Sequence, residues 1–398
     1  MKTLAIETSC DDTSIWIVSL KDDIFTVENL LAYSQVPDHQ KFGWVVPEIA
    51  SRLHSEKIIK VIENIWYDKI KDVDFISVTI KPWLPGSLVV WKAVANLLSE
   101  YFDKPLIEIN HIHGHVFSLF LEKKFEDINF PMVVLTASGG HNDLYLIEKW
   151  KMEDGKWKSN NLNKQSSFNN IDNLKTEIIW NFKITRLWST LDDAAWECFD
   201  KISRMLGGPY PGWPRISQKA TLWKARPDVK FPRIFLSSHE LNFSFSGMKS
   251  HIHYFLGDLE KKWIKLDEEM INDVAYEFQE AIVEVLWKKL IKAWIEFWVK
   301  TLGIVWWVSA NDRLFEYTTN LLIEKQNKLK DWEKWEKDEK RWNKVNPSFE
   351  DKSSIAGEKG KENFILDMQV IRPVKKLYST DNAAMIGLVG LLLKEMEK

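Results

Sequence analysis

The sequence predicts an α/β fold of two lobes around a cleft. Three observations carry this. Apolar strand-like runs alternate with helix-spaced segments through the first third of the chain, the pattern of a central sheet flanked by helices. A strand–turn–strand unit with a polar turn lies near the start, at 3–8 and 14–20 around Ser9-Cys10-Asp11-Asp12-Thr13. A second lies at 132–137 and 143–147 around Ser138-Gly139-Gly140-His141. In such a design each hairpin turn offers backbone N–H groups to a phosphate, and a nucleotide lies between the lobes. A plain hairpin turn is the alternative in both places.

The elements follow in order. A helix is expected from about Pro47, where Ile49, Leu53, Ile58, Ile59, Val61 and Ile62 recur at roughly helical spacing. Then come a strand at 75–80, a helix at about 87–102, a strand at 106–109 and a short helix carrying His111. Residues 150–178 are rich in Lys, Asn and Ser and read as an inserted loop. Helical segments dominate from about 192 to 300, and a strand at 301–308 with a helix at 312–326 restores the α/β pattern. The charged stretch 327–362 reads as a second insertion, a solvated helix or a disordered segment. An apolar helix is expected over about 382–397. The expected division is an N-terminal lobe, 1–130, carrying the histidines, and a C-terminal lobe, 131–398, whose last helix packs back near them.

Composition narrows the function classes. The chain has 398 residues, 45% hydrophobic and 28% charged, long enough for two domains. A net charge of −3 gives no global basic signature, so a nucleic-acid partner would need a local patch or partner proteins. No run of about 18 apolar residues suggests a membrane span. The N-terminus reads directly as a strand, without the apolar core and cleavage site of a signal peptide. Cys10 and Cys198 are far apart, so no disulfide framework is expected and a reducing, cytoplasmic setting is the default.

The run His111-Ile112-His113-Gly114-His115 carries the most chemistry. Residues four apart share one helix face, so His111 and His115 are placed to hold one divalent metal. The run follows the carboxyl end of a strand, where α/β active sites usually lie. His113 points away from that face. Three ordinary histidines at a buried helix start are the plain alternative. A zinc peptidase is a further reading, but its helix carries Glu beside the first His as general base, and here that residue is Ile112.

Nine motifs then occur in order. They are Glu7-Thr-Ser-Cys-Asp-Asp-Thr13, Val45-Val-Pro-Glu-Ile-Ala-Ser-Arg52, His111-x-x-x-His115, Ser138-Gly-Gly-His141, Asp192-Asp-Ala-Ala195, Phe199-Asp-Lys201, Phe243-Ser-Phe-Ser-Gly-Met-Lys249, Val308-Ser-Ala-Asn311 and Thr380-Asp-Asn-Ala-Ala-Met385. Together they resemble the TsaD family, the catalytic subunits that make N-threonylcarbamoyl-adenosine in tRNA. The resemblance covers nearly the whole chain except the two polar insertions. It implies a two-lobed fold of the actin/hexokinase/heat-shock-chaperone ATPase type. It also implies transfer of a threonylcarbamoyl group from threonylcarbamoyl-adenylate to the adenosine 3′ of the anticodon.

By the same resemblance, His111, His115 and Asp381 match metal ligands, and iron(II) is favoured with zinc as the other choice. For Asp381 the plain alternative is a helix N-cap. Thr136, Ala137, Ser138, Gly139 and Gly140 match a phosphate and substrate loop. Asp200 and Asn311 fall at nucleoside-side positions of the adenylate cleft, which would hold ATP or adenylate, and Trp213 is a substrate-binding position of that cleft. A helix-surface Asp and an N-cap Asn are the plain readings of Asp200 and Asn311. Asp11 and Asp12 match acidic residues facing the phosphate, with a turn-forming role as the alternative. The implied partners are tRNA, an inactive paralogue subunit, a small ATPase subunit and an adenylate-forming synthase. A non-catalytic ATP-binding scaffold of the same pathway is a separate reading.

One count departs from any ordinary protein: 21 Trp against 16 Gly. Average usage puts glycine at about 7%. Trp44, Trp83, Trp91, Trp188, Trp196, Trp213, Trp306 and Trp307 fall where the resemblance leads one to expect glycine. Some bacterial lineages read UGA as glycine, and translating those codons as tryptophan would give this sequence. A Trp-rich core or aromatic surface is the alternative. On the recoding reading, indoles are expected to crowd the cleft.

Overall fold

Two β-sheets of the same design organise the chain. The computed structural model describes residues 1–63, 67–137, 140–153, 156–159, 174–224, 229–234, 242–336 and 368–397. The first sheet has the order β3-β2-β1-β4-β5, from β1 (Lys2–Glu7), β2 (Asp12–Lys21), β3 (Ile24–Ser34), β4 (Phe75–Lys81) and β5 (Leu106–Asn110). β1, β2 and β3 pair antiparallel, while β4 and β5 continue from β1 in parallel. The second sheet repeats this. β6 (Met132–Ala137) and β7 (Asn142–Glu153) form a hairpin, with β8 (Lys156–Ser159) against β7. β9 (Thr176–Ile179) and β10 (Phe182–Trp188) extend the antiparallel side. β11 (Thr301–Val305) and β12 (Gln369–Ile371) continue from β6 in parallel. An antiparallel meander on one flank and parallel strands on the other, twice over, is the doubled plan of the actin/hexokinase/heat-shock-chaperone ATPases.

Parallel strands need crossover helices, and the chain supplies them. After α1 (Val36–His39), α2 (Pro47–Glu63) and α3 (Tyr67–Lys71), α4 (Pro85–Phe102) links β4 to β5, and α5 (His111–Phe117) leaves β5 directly. The second half carries α6 (Ala195–Met205), α7 (Trp213–Ala220), α8 (Ser246–Lys261), α9 (Glu268–Phe297), α10 (Asp312–Glu336) and α11 (Ala383–Glu395). Both sheets are covered on two faces, so central strands are apolar throughout: Leu4, Ala5 and Ile6 in β1, Val133, Val134 and Leu135 in β6, all buried. α11 lies on the first sheet, against β1, β2, β4 and α5. Two glycines permit that approach, because a Cβ on Gly387 would meet Val18 at 2.6 Å and one on Gly390 would meet Ser77 at 2.0 Å.

Four differences from the sequence reading have local causes. β3 follows β2 through a two-residue turn in which Asp22 and Asp23 take φ 51° and 59°, the primed turn of a tight hairpin. The stretch 150–178, read as a loop, holds the end of β7, β8 and the start of β9, and β10 follows it, all strands that its polar composition hid. α10 runs to Glu336, ten residues into the charged segment. β11 stops at Val305, and Trp307–Ala310 is a 3-10 turn. Of the polar stretches, residues 154–155, 160–173 and 337–362 lie outside the described residues. No described helix is long and apolar enough to cross a membrane.

Backbone conformation bears on the tryptophans. Among the described residues, eight other than glycine have positive φ, and four are Trp180, Trp263, Trp298 and Trp306. Three of these hold places that proteins give to glycine. Trp180 is the first residue of the two-residue turn joining β9 to β10. Trp298 is the left-handed C-cap of α9. Trp263 follows α8 with its N–H on Glu260 O (3.0 Å) and the next N–H, Ile264, on Leu259 O (2.9 Å), the Schellman arrangement. Only Trp306 belongs to the eight tryptophans singled out by resemblance, so geometry widens the set.

Trp263 gives a clean test because its side chain is 95% exposed and loses no burial on removal. A Cβ in the left-handed region costs ~1–2 kcal/mol. Glycine's extra freedom in the unfolded chain returns ~0.4–1 kcal/mol of that. Trp263→Gly is therefore expected to stabilise the protein by about 0.5–1 kcal/mol, read as a higher urea midpoint at unchanged slope. A lower midpoint would mean the indole makes contacts that its exposure denies.

Candidate metal centre

The site grows from the end of β5. Asn110 caps α5, its Oδ1 accepting from Ile112 N at 3.0 Å, so the helix starts at His111. Every residue of α5 is buried. His111 and His115, one turn apart, bring their Nε2 atoms to 3.1 Å. Asp381 arrives from just ahead of α11. Its Oδ1 is 2.9 Å from His115 Nε2 and 3.5 Å from His111 Nε2. The cap of α11 is the neighbour, Asn382, whose side chain accepts from Met385 N. The Asp381 carboxylate is thus free of capping and faces the histidines.

These three donors fit a metal. Metal–nitrogen bonds of about 2.0–2.1 Å at tetrahedral angles separate two ligand atoms by roughly 3.4 Å, close to what the side chains adopt. Burial opposes charge on His111, but the Glu7 and Asp381 carboxylates win and raise its pKa. Burial and His111 hold His115 well down, so its ring is neutral. Burial lifts Asp381 to about 6. A cation in the centre would relieve both the crowded donors and the desolvated carboxylate.

Glu7 completes the arrangement, and sequence reading had not assigned it a role. It ends β1 fully buried, its Oε1 accepting from Ser9 N at 2.6 Å and its Oε2 accepting from Thr79 Oγ1. Oε2 also lies 3.1 Å from His111 Nδ1, with Ser9 Oγ at 3.0 Å. Burial alone would raise the Glu7 pKa, yet His111 and the hydroxyl and amide donors bring it to about 2. A fixed carboxylate at Nδ1 keeps the proton there and turns the Nε2 lone pair to the centre. The signal was a lone acid in an apolar strand, Ala5-Ile6-Glu7. Glu7→Gln is expected to weaken metal binding by about 10- to 100-fold, read by titration of the metal-free protein. Unchanged affinity would reduce Glu7 to a fold-holding residue.

Trp306 covers the triad. Its backbone is left-handed at φ 69°. Its indole stacks on His115 at 3.8 Å and 15°, lies 5.0 Å from the His111 ring, and holds the Asp381 pKa down against burial. Trp83 stands edge-on to His111, His141 and Trp306. Its indole N–H is buried without an acceptor among the described residues. Farther along, Trp196, Trp213 and Trp307 form a second ring cluster, with centroids 5.2 to 6.4 Å apart.

The remaining sequence-predicted residues fall around this core. Asp11 and Asp12 lie at the start of β2, where His54 ties the turn to α2 through Thr13 Oγ1 (2.7 Å) and Cys10 O (3.0 Å). Burial raises Asp11, with Asp381 adding to it, and burial with Asp11 pushes Asp12 to about 8. Tyr210 donates to Asp11 Oδ2 at 3.5 Å. Burial lifts Asp200 to about 7, and its Oδ1 accepts from Gly212 N at 2.6 Å. Trp213 begins α7 right after that contact. Asn311 caps α10, with Oδ1 accepting from Arg313 N (3.0 Å) and Nδ2 donating to Gln279 Oε1 (3.2 Å). Thr136 and Ala137 end β6, and Gly140 lies under Trp83, where a Cβ would meet the ring at 2.8 Å. Ser138 and Gly139 lie outside the described residues. His113 faces away from the triad, 3.3 Å from Glu177.

Comparison with known proteins adds an independent line. The profile of a family described as TsaD: tRNA N6-adenosine threonylcarbamoyltransferase matches residues 27–165 and 169–330. A protein of that name from Syntrophomonas wolfei is 37% identical over 317 residues, covering 78% of this chain and 80% of its own. One from Kosmotoga olearia is 36% identical, covering 82% and 86%. One from Staphylococcus aureus strain Newman is 33% identical over 390 residues, covering 97% and 90%. Among solved structures, HypF of T. kodakarensis overlaps 99% of this chain and 48% of its own at 11% identity and a TM-score of 0.47. That overlap is too loose to add to the fold read from the sheets.

Proposed function

The chain belongs to the TsaD family of tRNA N6-adenosine threonylcarbamoyltransferases, and from that premise we propose the reaction it runs. The donor is threonylcarbamoyl-adenylate, and the acceptor is the adenosine 3′ of the anticodon in tRNAs reading codons that begin with A. The amine N6 attacks the carbamoyl carbon. A C–N bond forms, the C–O bond to phosphate breaks, and AMP leaves with that electron pair. One N6 proton goes to the Asp11–Asp12 pair, whose raised affinity for protons suits a base.

The observation that carries this reading is the convergence of His111, His115 and Asp381 in a member of this family. A divalent metal held there, iron(II) in preference to zinc, would supply Lewis acidity to the carbamoyl oxygen. In this reading Asp200 accepts ribose hydroxyls of the adenylate, Asn311 and Trp213 serve the same cleft, and Thr136, Ala137 and Gly140 serve the phosphate. A non-catalytic scaffold would have no need of a complete ligand set. A peptidase would need a base beside His111, where Ile112 stands.

The partners belong to the same proposal: tRNA, a paralogous subunit, a small ATPase and a synthase that makes the adenylate, all in the cytoplasm. Support for a protein partner comes from α4, which leaves Val89, Leu97 and Tyr101 each more than 60% exposed on one face. The test is nucleoside analysis of tRNA incubated with the adenylate, the partner subunits and this protein carrying glycine at the eight tryptophans named by resemblance. Threonylcarbamoyl-adenosine is expected with the natural tRNA and absent when the acceptor is guanosine. No product from a folded protein with active partners would leave the scaffold reading.

A further inference from the structure

Beside the triad, on the face of α5 that carries His113, lies a polar cavity of about 140 Å³. Its walls come from both halves of the chain: Asn110 and His113 from one, His141, Asp143, Tyr145, Glu177 and Arg186 from the other. The floor is acidic and buried. Asp143 is 2% exposed and Tyr145 7%. Asp143 Oδ2 accepts from Tyr145 Oη at 3.0 Å. Its Oδ1 is buried with no hydrogen bond among the described residues, and Arg186 Nε stays at 3.7 Å. A buried carboxylate oxygen without a donor is costly, so a ligand N–H is the natural complement. Burial raises the Asp143 pKa accordingly. The rim is different, with the Arg186 side chain 40% and that of Lys175 73% exposed.

Trp83 stands between a wall residue of this cavity and the triad. The Trp83 ring lies 5.2 Å from His141, on the cavity wall, and 6.0 Å from His111, in the triad. A small residue at 83 would leave the gap between His141 and His111 open.

We propose that this cavity takes the acceptor base: an adenine turned out of a single-stranded RNA loop, its exocyclic amine donating to Asp143. The inference rests on the proposed transferase reading. An acidic floor suits a neutral ring bearing an amine and repels the carboxylate and phosphate of the adenylate donor. Tyr145 and His141 supply surfaces for a splayed base, and the rim cations face its flanking phosphates. The donor and acceptor then meet at the triad from opposite sides, with residue 83 deciding whether they touch.

The test uses full-length protein with its partners, carrying Trp83→Gly, alone and with Asp143→Asn or Arg186→Ala. A stem–loop RNA with 8-azaadenosine, a fluorescent adenosine that keeps its 6-amine, at the acceptor position reports base entry by quenching, adenylate binding is measured without RNA, and transfer is measured on tRNA. Trp83→Gly is expected to increase both quenching and transfer over the parent. Asp143→Asn is expected to cut transfer by about 10- to 100-fold, the worth of a hydrogen bond to a charged group, with adenylate affinity unchanged. Arg186→Ala is expected to weaken RNA binding. Wild-type transfer by both added variants, with His115→Ala inactive, overturns the cavity and leaves the transferase reading intact. Loss of adenylate affinity instead gives the cavity to the donor and also overturns the proposal. Quenching that needs Asp143 while no variant makes product supports the base pocket and sinks the transferase reading.

Discussion

His115→Ala is expected to lower threonylcarbamoyl transfer by at least about 10³-fold, a few kcal/mol of lost charge stabilisation at ~1.4 kcal/mol per decade. The protein should remain folded. His115 is fully buried with its Nδ1 lacking a partner among the described residues, so the variant removes a ring that is poorly satisfied without metal. Stability separates loss of the ligand from loss of the fold. A metal at 100 times its Kd adds about 2.7 kcal/mol to the folded state. Added iron(II) or zinc should therefore raise the wild-type Tm and leave that of His115→Ala unmoved. Asp381→Asn, which keeps the shape and the Trp306 contact, should behave in the same way. Full metal content and full transfer in either variant would remove the triad from the chemistry.

Much of this centre was legible beforehand, and the reasons are local. His111 and His115 sit four apart on a helix, so spacing alone put their rings together. Asp381 stands 266 residues from His115, and no spacing argument reaches it. Resemblance alone supplied that residue, and α11 packing back on the first sheet is what delivers it. Strands with clean ends, such as β6 at 132–137, were read to the residue because both faces are buried and the run is uniformly apolar. β3 was missed because its outer face is polar and its turn, Asp22-Asp23, lacks glycine. β11 was overrun because Trp306-Trp307 extends the apolar pattern, while the backbone turns at 306. Glu7 was passed over because a buried acid is visible only once His111 is seen against it. The two possible uses of Asn311 were stated from sequence, and the cap is made. A helix cap needs only local residues, whereas a nucleoside contact depends on a molecule from outside.

Trp306→Gly is expected to raise metal affinity and transfer by more than about tenfold, for reasons that combine strain and access. The residue is left-handed and 2% exposed, so the backbone cannot relax toward solvent. Strain of ~1–2 kcal/mol is released by losing the Cβ. The indole also stacks on His115 and lies 5.0 Å from the His111 ring, so it fills space against the donors that would hold a metal. Against this stands the lost burial of a large ring, worth about 1.5–3 kcal/mol. Stability and function are therefore expected to part: a small net change in the urea midpoint beside a large gain in metal binding. The same argument extends to the natural protein. Peptide masses from the source organism should show glycine at 180, 263, 298 and 306, the four places where tryptophan is left-handed. Tryptophan masses there, with Trp306→Gly no more active than the parent, would mean that the indoles are native and that the triad works beneath them.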